Sequence, residues 1–228
     1  VPAARRRSRR IAVAIAQELN DKRGEGIHLG NLALVYRDQS LYEQAIQMCR
    51  RSSEMAREMG DRSSEGSLLE LLGSIYQSRG QHEQAIQVFH QTIAISRTVG
   101  AKSREANQVG ALGTVYLAQG RYELAIQSLS EAINLAQDVG DKYVECIHLG
   151  NFGDALFKLG RLDEAEDAFR QAIPIGDKTW QVAAGAFRGS LARLIAQQNR
   201  HDEALALLEV GESQVSIYPE EHAKFLSK

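Results

Sequence analysis

Cysteine, proline and long apolar runs are scarce in this chain of 228 residues, which has two cysteines and three prolines. Cys49 and Cys146 are too few for a disulfide framework, and neither lies in a CxxC or His/Cys metal-ligand spacing. We therefore expect a reducing, cytoplasmic location. No apolar run approaches the roughly 20 residues of a membrane span. The run after the first arginines ends at Gln17 and Glu18, too soon for a signal peptide.

The net charge is also small, at −2, which gives no electrostatic reason to expect binding to DNA or RNA. The exception is local, because five arginines fall within residues 5–10. A basic run can contact nucleic acid or an anionic membrane, but its usual interpretation is a solvated helix face. Nothing basic elsewhere extends a nucleic-acid track. The cluster therefore predicts a charged helix surface.

Motifs that carry catalysis are missing as well. The chain has no glycine-rich phosphate loop, no nucleophile elbow and no cluster of metal ligands. We therefore expect no enzymatic activity, no cofactor and no metal. Since the chain begins with Val1 instead of Met, we also expect a fragment or a processed product.

What the sequence does have is a repeat of 40 residues. Near copies of the stretch Gly120–Ile126 lie at 40–46, 80–86 and 160–165. A period in this range indicates stacked copies of one supersecondary unit instead of a single globular core. The predicted organisation is one array over residues 1–228, with a partial unit of one helix at 5–20, repeats at 21–60, 61–100, 101–140 and 141–180, a degenerate fifth repeat at 181–218, and a capping or truncated helix at 219–228.

Each row of the repeat predicts two amphipathic helices. In helix A, apolar residues recur at spacings of three and four, as in Leu69, Leu72 and Tyr76. A glycine such as Gly80 then ends helix A, and helix B follows with its own apolar stripe. Small residues recur where the two helices face each other, which allows a close approach. These small positions are Ala33, Gly73, Gly113 and Gly153 on helix A and Ala45, Ala85, Ala125 and Ala165 on helix B.

Single positions carry expectations of their own. Pro174 should end or kink the fourth helix B early, because proline lacks a backbone donor and clashes with the preceding turn. We expect Trp180 to join two units instead of contacting a ligand, and Cys49 and Cys146 to pack structurally. A glutamate recurs in the first turn of helix A, where its charge suits the helix dipole and where no acid or base recurs with it. These glutamates are Glu25, Glu65, Glu105 and Glu145.

The order of these positions resembles the tetratricopeptide repeat (TPR). Its succession of large, small, aromatic, glycine, alanine and aromatic signposts is matched by Leu72, Gly73, Tyr76, Gly80, Ala85 and Phe89. The usual unit has about 34 residues, and the longer form seen here resembles the repeats of Pins-type adaptors, kinesin light chains and bacterial proteins such as the Rap-type regulators. The resemblance implies an all-α fold, a right-handed α-solenoid of about five stacked helix-turn-helix units with a partial N-terminal helix and a short C-terminal segment.

In that family the A helices line an inner, concave surface that holds an extended peptide or a partner helix. Carrying the inward positions over predicts a polar lining with apolar residues between, among them Ile27 and Leu34. Asparagine can both donate to and accept from a peptide backbone, so the asparagines are the best candidates for holding main chain. The alternative is a merely solvated face. The eight side chains predicted to bind a partner are Asn31, Arg37, Glu70, Gln77, Asn107, Thr114, Asn151 and Asp154.

The resemblance favours a non-catalytic scaffold or adaptor that binds a peptide or a helix of another protein in this groove. One alternative is a peptide-sensing regulatory module of a bacterial regulator, and another is a scaffold that forms homo-oligomers through its end units. Capture of a C-terminal carboxylate, as in chaperone-binding TPR domains, is not expected, because Ile27 and Ile147 replace the lysine of that clamp. No nucleic acid and no membrane insertion are expected either.

Overall fold

The computed structural model describes residues 2–216 and 218–226, with side chains from Arg5 onward. These residues form twelve helices and no strand, so the predicted all-α fold is confirmed. In chain order the helices are α1 (Pro2–Glu18), α2 (Lys22–Asp38), α3 (Tyr42–Glu58), α4 (Arg62–Ser78), α5 (His82–Thr98), α6 (Lys102–Ala118), α7 (Tyr122–Val139), α8 (Lys142–Leu159), α9 (Leu162–Thr179), α10 (Gln181–Gln197), α11 (His201–Val215) and α12 (Pro219–Leu226). The predicted array also includes residues 1, 217, 227 and 228, which lie outside the described residues.

The chain divides into two compact units, residues 1–108 and 109–228, and the boundary falls inside α6. Within the first unit each of α1 to α4 packs against the next helix, and within the second unit so does each of α7 to α10. Helices α2 and α3 therefore form one helix-turn-helix pair, as do α4 and α5, α8 and α9, and α10 and α11. The joining of all repeats into one array and the repeat boundaries stay predictions.

Most of the turns between helices pass through the left-handed backbone region, whereas the α9–α10 turn at Trp180, with φ of −156°, does not. The residue there is glycine in six turns, with φ between 69° and 83° at Gly60, Gly80, Gly100, Gly120, Gly140 and Gly160. Ser40 and Asn199 stand where the repeat lacks that glycine, and they adopt the same region with φ of 56° and 62°. A side chain is strained in this region, and asparagine tolerates it better than most residues. The degenerate fifth repeat therefore keeps its turn although its glycine is lost.

Aspartates cap the helices that follow these turns, as their position just before helix A predicts. Asp61 accepts a hydrogen bond from the backbone N–H of Ser64 at 3.0 Å, and Asp141 accepts one from Val144 at 3.1 Å. Asp21 caps α2 in the same way. Each cap satisfies one of the backbone donors that a helix start leaves unpaired.

The small positions of the repeat lie where helices A and B touch. The four helix B alanines are fully buried, at 0% exposure: Ala45, Ala85, Ala125 and Ala165. A Cβ added at Gly73 would lie 2.8 Å from the ring of Phe89, and one at Gly153 would lie 2.8 Å from the ring of Phe169. Bulky side chains of helix B thus fill the space that glycine leaves on helix A. Cys49 occupies the same column as Phe89 and is buried, as expected.

Replacing Ala85 with Leu should destabilise the protein by about 1–3 kcal/mol, since the larger side chain has no room at a contact between two helices. Thermal unfolding followed by circular dichroism measures the effect. Gln87→Leu on the same helix is the control, because Gln87 is exposed and its replacement adds no atoms to the core. An unchanged melting temperature for Ala85→Leu would contradict the repeat register.

The expected early end of helix B at Pro174 is wrong. Helix α9 continues through Pro174 to Thr179. Pro174 lies on the exposed side of α9, while Ile173 and Gly176 beside it are buried. The carbonyl that loses its helical donor belongs to Arg170, which is also exposed, so water can replace the missing partner. The helix therefore tolerates this proline because the lost hydrogen bond lies on its exposed side and not on its packed side.

The recurrent first-turn glutamates are more buried than a role at the helix dipole requires. Glu65 and Glu145 are only 6% and 4% exposed. Each of the four is ion-paired: Glu25 with Arg51, Glu65 with Arg62, Glu105 with Arg97 and Glu145 with Lys142. Arg62 and Lys142 stand at the same position of the repeat, whereas Arg51 and Arg97 stand at two other positions, so the ion pair is not made in the same way in every repeat. Burying a carboxylate without such a partner would be costly.

Trp180 contacts another helix of the second compact unit, but its partner lies in the same predicted repeat, so its expected role in joining two repeats stays a prediction. It lies between the end of α9 and the start of α10, and its ring centroid is 5.3 Å from that of Tyr143 on α8. Cys146, on the same α8, is buried, and its Sγ lies 3.4 Å from the carbonyl oxygen of Ala172. Both residues therefore serve packing between neighbouring helices.

Candidate functional site

A hollow of about 320 Å³ lies between α2 and α4, and residues of α3 complete its lining. We call it the α2–α4 groove. Its walls come from two successive A helices, and all of its residues belong to the first compact unit. The lining includes Ile27, Asn31 and Leu34 of α2 and Ser67, Leu68 and Leu71 of α4. Four of these, Ile27, Asn31 and Leu34 on α2 and Ser67 on α4, are inward positions that the TPR resemblance predicts.

Two glycines of α2 shape this groove. A Cβ at Gly30 would lie 2.9 Å from a methyl carbon of Leu68, so α4 packs directly on the backbone of α2 at that point. The carbonyl of Gly26 accepts a hydrogen bond of 2.7 Å from the hydroxyl of Ser52, which ties α3 to α2. Both glycines line the hollow. A larger residue at either position would fill part of the space that a ligand could use.

Large apolar side chains around the groove are open to solvent. Ile27 is 56% exposed and Leu34 is 39% exposed, while Leu68 and Leu71 are half-buried. Apolar side chains grouped around a concave surface are typical of binding sites, whereas single exposed ones are ordinary. The groove can therefore take up an apolar side chain of a ligand.

Polar groups flank this apolar surface. Asn31 is half-buried in the lining, and its amide can both donate to and accept from a peptide bond. At the N-terminal end of α4, hydrogen bonds from the backbone N–H and the hydroxyl of Ser64 hold the pKa of Asp61 below its usual range, and nearby Arg23 lowers it further. A carboxylate and a guanidinium therefore balance each other at this end of the groove.

The predicted binding residues are only partly brought together. Asn31 lines the groove, and the other seven lie outside its lining. Arg37 is exposed and donates to the neighbouring Asp38 at 2.8 Å, and exposed Asn107 donates to the carbonyl of Ser103 at 3.1 Å. The half-buried members are Glu70 and Gln77 on α4, Thr114 on α6, and Asn151 and Asp154 on α8.

Leu68 and Leu71 line the groove but were not predicted to. Both stand directly before a leucine of the helix A stripe, so α4 carries more apolar positions than one stripe requires. The corresponding positions of the first row are His28 and Asn31. This excess of leucine was the signal in the sequence, and only the packing of α4 beside α2 shows that the extra side chains reach a hollow.

The described residues contain neither a metal-ligand cluster nor a reactive thiol. Within the described ranges no three His, Cys, Asp or Glu side chains are grouped so that they could hold a metal ion. Burial raises the pKa of the Cys49 thiol to about 12 and that of Cys146 to about 11. Such thiols stay protonated and are poor nucleophiles. Across residues 2–216 and 218–226, no helix combines the length and the apolar character needed to cross a membrane.

The fold is shared with several solved structures. BtubC (BKLC) from P. vanneervenii matches with a TM-score of 0.82 and 16% identity, over 95% of this chain and 92% of that one. A Rap protein complexed with Competence and Sporulation Factor matches with a TM-score of 0.76 and 18% identity, over 89% and 57%. The TPR-like repeats of a Podosopora anserina putative kinesin light chain match with a TM-score of 0.67 and 18% identity, over 84% and 95%.

Identities this low show a common fold and nothing finer. No curated protein sequence matches the chain. The family model that does match describes a MalT-like TPR region, and it covers residues 32–216. The predicted TPR fold is thereby confirmed. Since that model matches most of the 228 residues of this chain, the chain belongs to the MalT-like tetratricopeptide-repeat family.

Proposed function

We propose that this chain is a non-catalytic adaptor module that holds an extended segment of another protein in the α2–α4 groove. The observation that carries the proposal is the solvent-open hollow of about 320 Å³ with exposed Ile27 and Leu34 on its wall. An apolar side chain of the ligand enters the hollow, and the Asn31 amide bonds to its main chain. Apolar pockets then select side chains while polar groups hold the backbone.

The size of the groove sets the expected affinity. Burying one side chain as large as leucine contributes about 1.5–3 kcal/mol, which alone gives no better than millimolar binding. A micromolar complex needs about 8 kcal/mol. The ligand must therefore extend past the groove along other inward positions of the first compact unit, where Glu70 and Gln77 are the proposed further contacts.

A regulatory variant of this function is the second candidate. The Rap protein of similar fold was solved as a complex with Competence and Sporulation Factor. We propose as the alternative that this chain senses a peptide by changing conformation. Small-angle scattering with and without the peptide separates the two, because a passive adaptor keeps its radius of gyration and a sensor changes it.

Filling the groove should weaken peptide binding without unfolding the protein. Ser67 lines the groove and is exposed, and its hydroxyl donates to the carbonyl of Ser63 at 3.1 Å. In Ser67→Trp the indole would occupy the hollow. We expect the affinity for peptides selected by the wild-type protein from a random phage library to fall at least about tenfold, as the main apolar anchor is lost.

Thr98→Trp is the matched control. Thr98 is also exposed on a helix, its hydroxyl also donates to the carbonyl four residues earlier, and it lies on α5 outside the groove. Fluorescence polarisation reports binding and far-UV circular dichroism reports helix content. Equal affinities for the two tryptophan variants, both folded, would show that peptides bind somewhere else.

A further inference from the structure

Two arginines of α1 occupy positions that the repeat elsewhere reserves for its core. In the 40-residue register Arg5 stands in the column of Ala45 and Arg9 in the column of Cys49, and both of those residues are 0% exposed. In α5 the residue in the Arg9 column is Phe89, whose ring packs on a glycine of the A helix of its own row. In α1 the two columns instead hold exposed arginines. They form a cationic surface where the regular repeat has an apolar one.

This cationic surface adjoins the α2–α4 groove. A second hollow lies between α1 and α2, lined by Arg5, Ser8, Arg9, Asn31, Leu34 and Val35. Asn31 and Leu34 line both hollows, so the two form neighbouring parts of one surface on either side of α2. A single bound segment can reach both.

The charge of the second hollow is not balanced by its own lining, which contains no carboxylate. Among the described residues of α1, the acidic one is Glu18 at the C-terminal end of the helix, far along from the arginines. Arg6 is turned towards Gln39, whose Oε1 it contacts at 3.4 Å. The opposite end of the groove holds Asp61 as well as Arg23. A ligand therefore meets positive charge at the α1 end and balanced charge at the other.

On the premise that the α2–α4 groove binds a peptide, we propose that the bound segment carries an aspartate or glutamate about three residues from a bulky aliphatic residue. The aliphatic side chain fills the α2–α4 groove, and Arg5 and Arg9 bind the carboxylate. Axes of packed helices lie about 9 Å apart, and an extended chain advances about 3.3 Å per residue, which sets this spacing. Guanidinium–carboxylate hydrogen bonds are charge-assisted and directional.

A peptide can match both the cationic second hollow and the apolar α2–α4 groove, whereas a phosphate polymer can match only the cationic one. Nucleic acid would be drawn to the arginines, but it has no aliphatic group for the hollow between Ile27, Leu34 and Leu68. An acidic and aliphatic segment matches the charge of one hollow and the apolar lining of the next. The ligand class follows from the juxtaposition of the two.

Selection from a random phage library followed by charge reversal tests the proposal. The test variant is Arg5→Glu/Arg9→Glu, and the control is Arg7→Glu/Arg10→Glu, which changes the net charge equally at exposed arginines of α1 outside the second hollow. Wild-type protein should enrich peptides with an acid two to four positions from Leu, Ile or Met. Their affinity should fall at least about tenfold for the test variant and about twofold or less for the control.

A charge swap makes the result specific. Peptides in which the acid is changed to lysine should bind the Arg5→Glu/Arg9→Glu variant better than the wild-type protein. Thermal melts confirm that both variants are folded. Selected peptides that lose binding in Ser67→Trp but show no acid enrichment, or lose it equally in both charge variants, would overturn this inference and leave the proposed function standing.

The failure of the proposed function has a different signature, since no selected peptide would then be blocked by Ser67→Trp. A third outcome concerns phosphate. Single-stranded DNA or anionic vesicles that compete with the selected peptides, and whose binding Arg5→Glu/Arg9→Glu abolishes, would assign these arginines to phosphate recognition and overturn the inference. Absence of that competition, together with the charge swap, supports the acidic peptide.

Discussion

Replacing Phe169 with Ala should lower the free energy of unfolding by about 3–5 kcal/mol, the cost of removing a large, fully buried aromatic side chain. Phe169 is 0% exposed and belongs to a core cluster that includes Leu156, Ala172 and Leu191. Its ring also fills the space left by Gly153 on the facing helix. Urea unfolding followed by circular dichroism measures the loss.

The glycine opposite provides the control for this prediction. A Cβ at Gly153 would lie 2.8 Å from the ring of Phe169, so Gly153→Ala should destabilise the wild-type protein by overpacking. In the background of Phe169→Ala the ring is gone, and the same change should cost less. A double-mutant cycle measures the difference. Additive effects of the two substitutions would contradict the contact between helix A and helix B on which the repeat depends.

Replacing Asp177 with Ala should destabilise the second unit by about 2–3 kcal/mol, because it strands a mostly buried guanidinium. Arg188 donates to both carboxylate oxygens of Asp177 at 2.7 Å, and its side chain is only 13% exposed. Gln214 completes the network, accepting from Arg188 at 2.7 Å and donating to Asp177 at 2.9 Å. The three residues link α9, α10 and α11.

The same network makes stability depend on pH in a defined direction. The hydrogen bond from Arg188, with a further one from Gln214, holds the pKa of Asp177 below its ordinary value in the folded protein. A carboxyl whose pKa is lower when folded stabilises the fold above its ordinary pKa of about 3.9 and loses that contribution on acidification. The stability difference between the wild-type protein and Asp177→Ala should therefore shrink below about pH 4.

Urea midpoints measured from neutral pH to about pH 3 test this dependence. Gln214→Leu is a useful companion, because it removes the hydrogen bonds of Gln214 and leaves the Asp177–Arg188 ion pair in place. The stability of this variant should therefore still fall on acidification. A difference between wild type and Asp177→Ala that stays constant across the range would contradict the network.

The helices were predictable because the same turn and packing residues recur at fixed positions of the repeat. Glycine recurs where the backbone takes positive φ, and Ser40 in the same column adopts the same conformation. Alanine recurs where helices touch, and Ala85 and Ala125 are fully buried as expected. A repeat states each such rule several times, so the period and the turns could be read without a structure.

What could not be read depends on contacts between distant residues. The partner of Glu25 is Arg51, on another helix and at another position of the repeat from the partner of Glu65. The effect of Pro174 depended on which side of α9 meets a neighbour. Leu68 and Leu71 became groove residues because α4 packs against α2 at Gly30. In each case the pattern names the residue type, and packing decides its role.

The groove itself was predicted only in outline. Inward positions of helix A were assigned from the TPR resemblance, and Asn31, Ile27 and Leu34 do line a hollow. The predicted asparagines do not all line this hollow, because Asn107 is exposed and donates a hydrogen bond within its own helix. Polar side chains on a helix surface can satisfy themselves locally, so their type alone does not mark a binding site.

Methyl NMR of the folded chain titrated with a selected peptide shows where on the protein the peptide binds. If the peptide lies in the α2–α4 groove, the methyl signals of Ile27, Leu34, Leu68 and Leu71 shift first and saturate together, and Ser67→Trp removes the response. Shifts that instead appear at Leu69 and Val88, on the α3–α5 side of the first unit, with no change at Ile27 or Leu34, would show that the peptide does not bind in the α2–α4 groove.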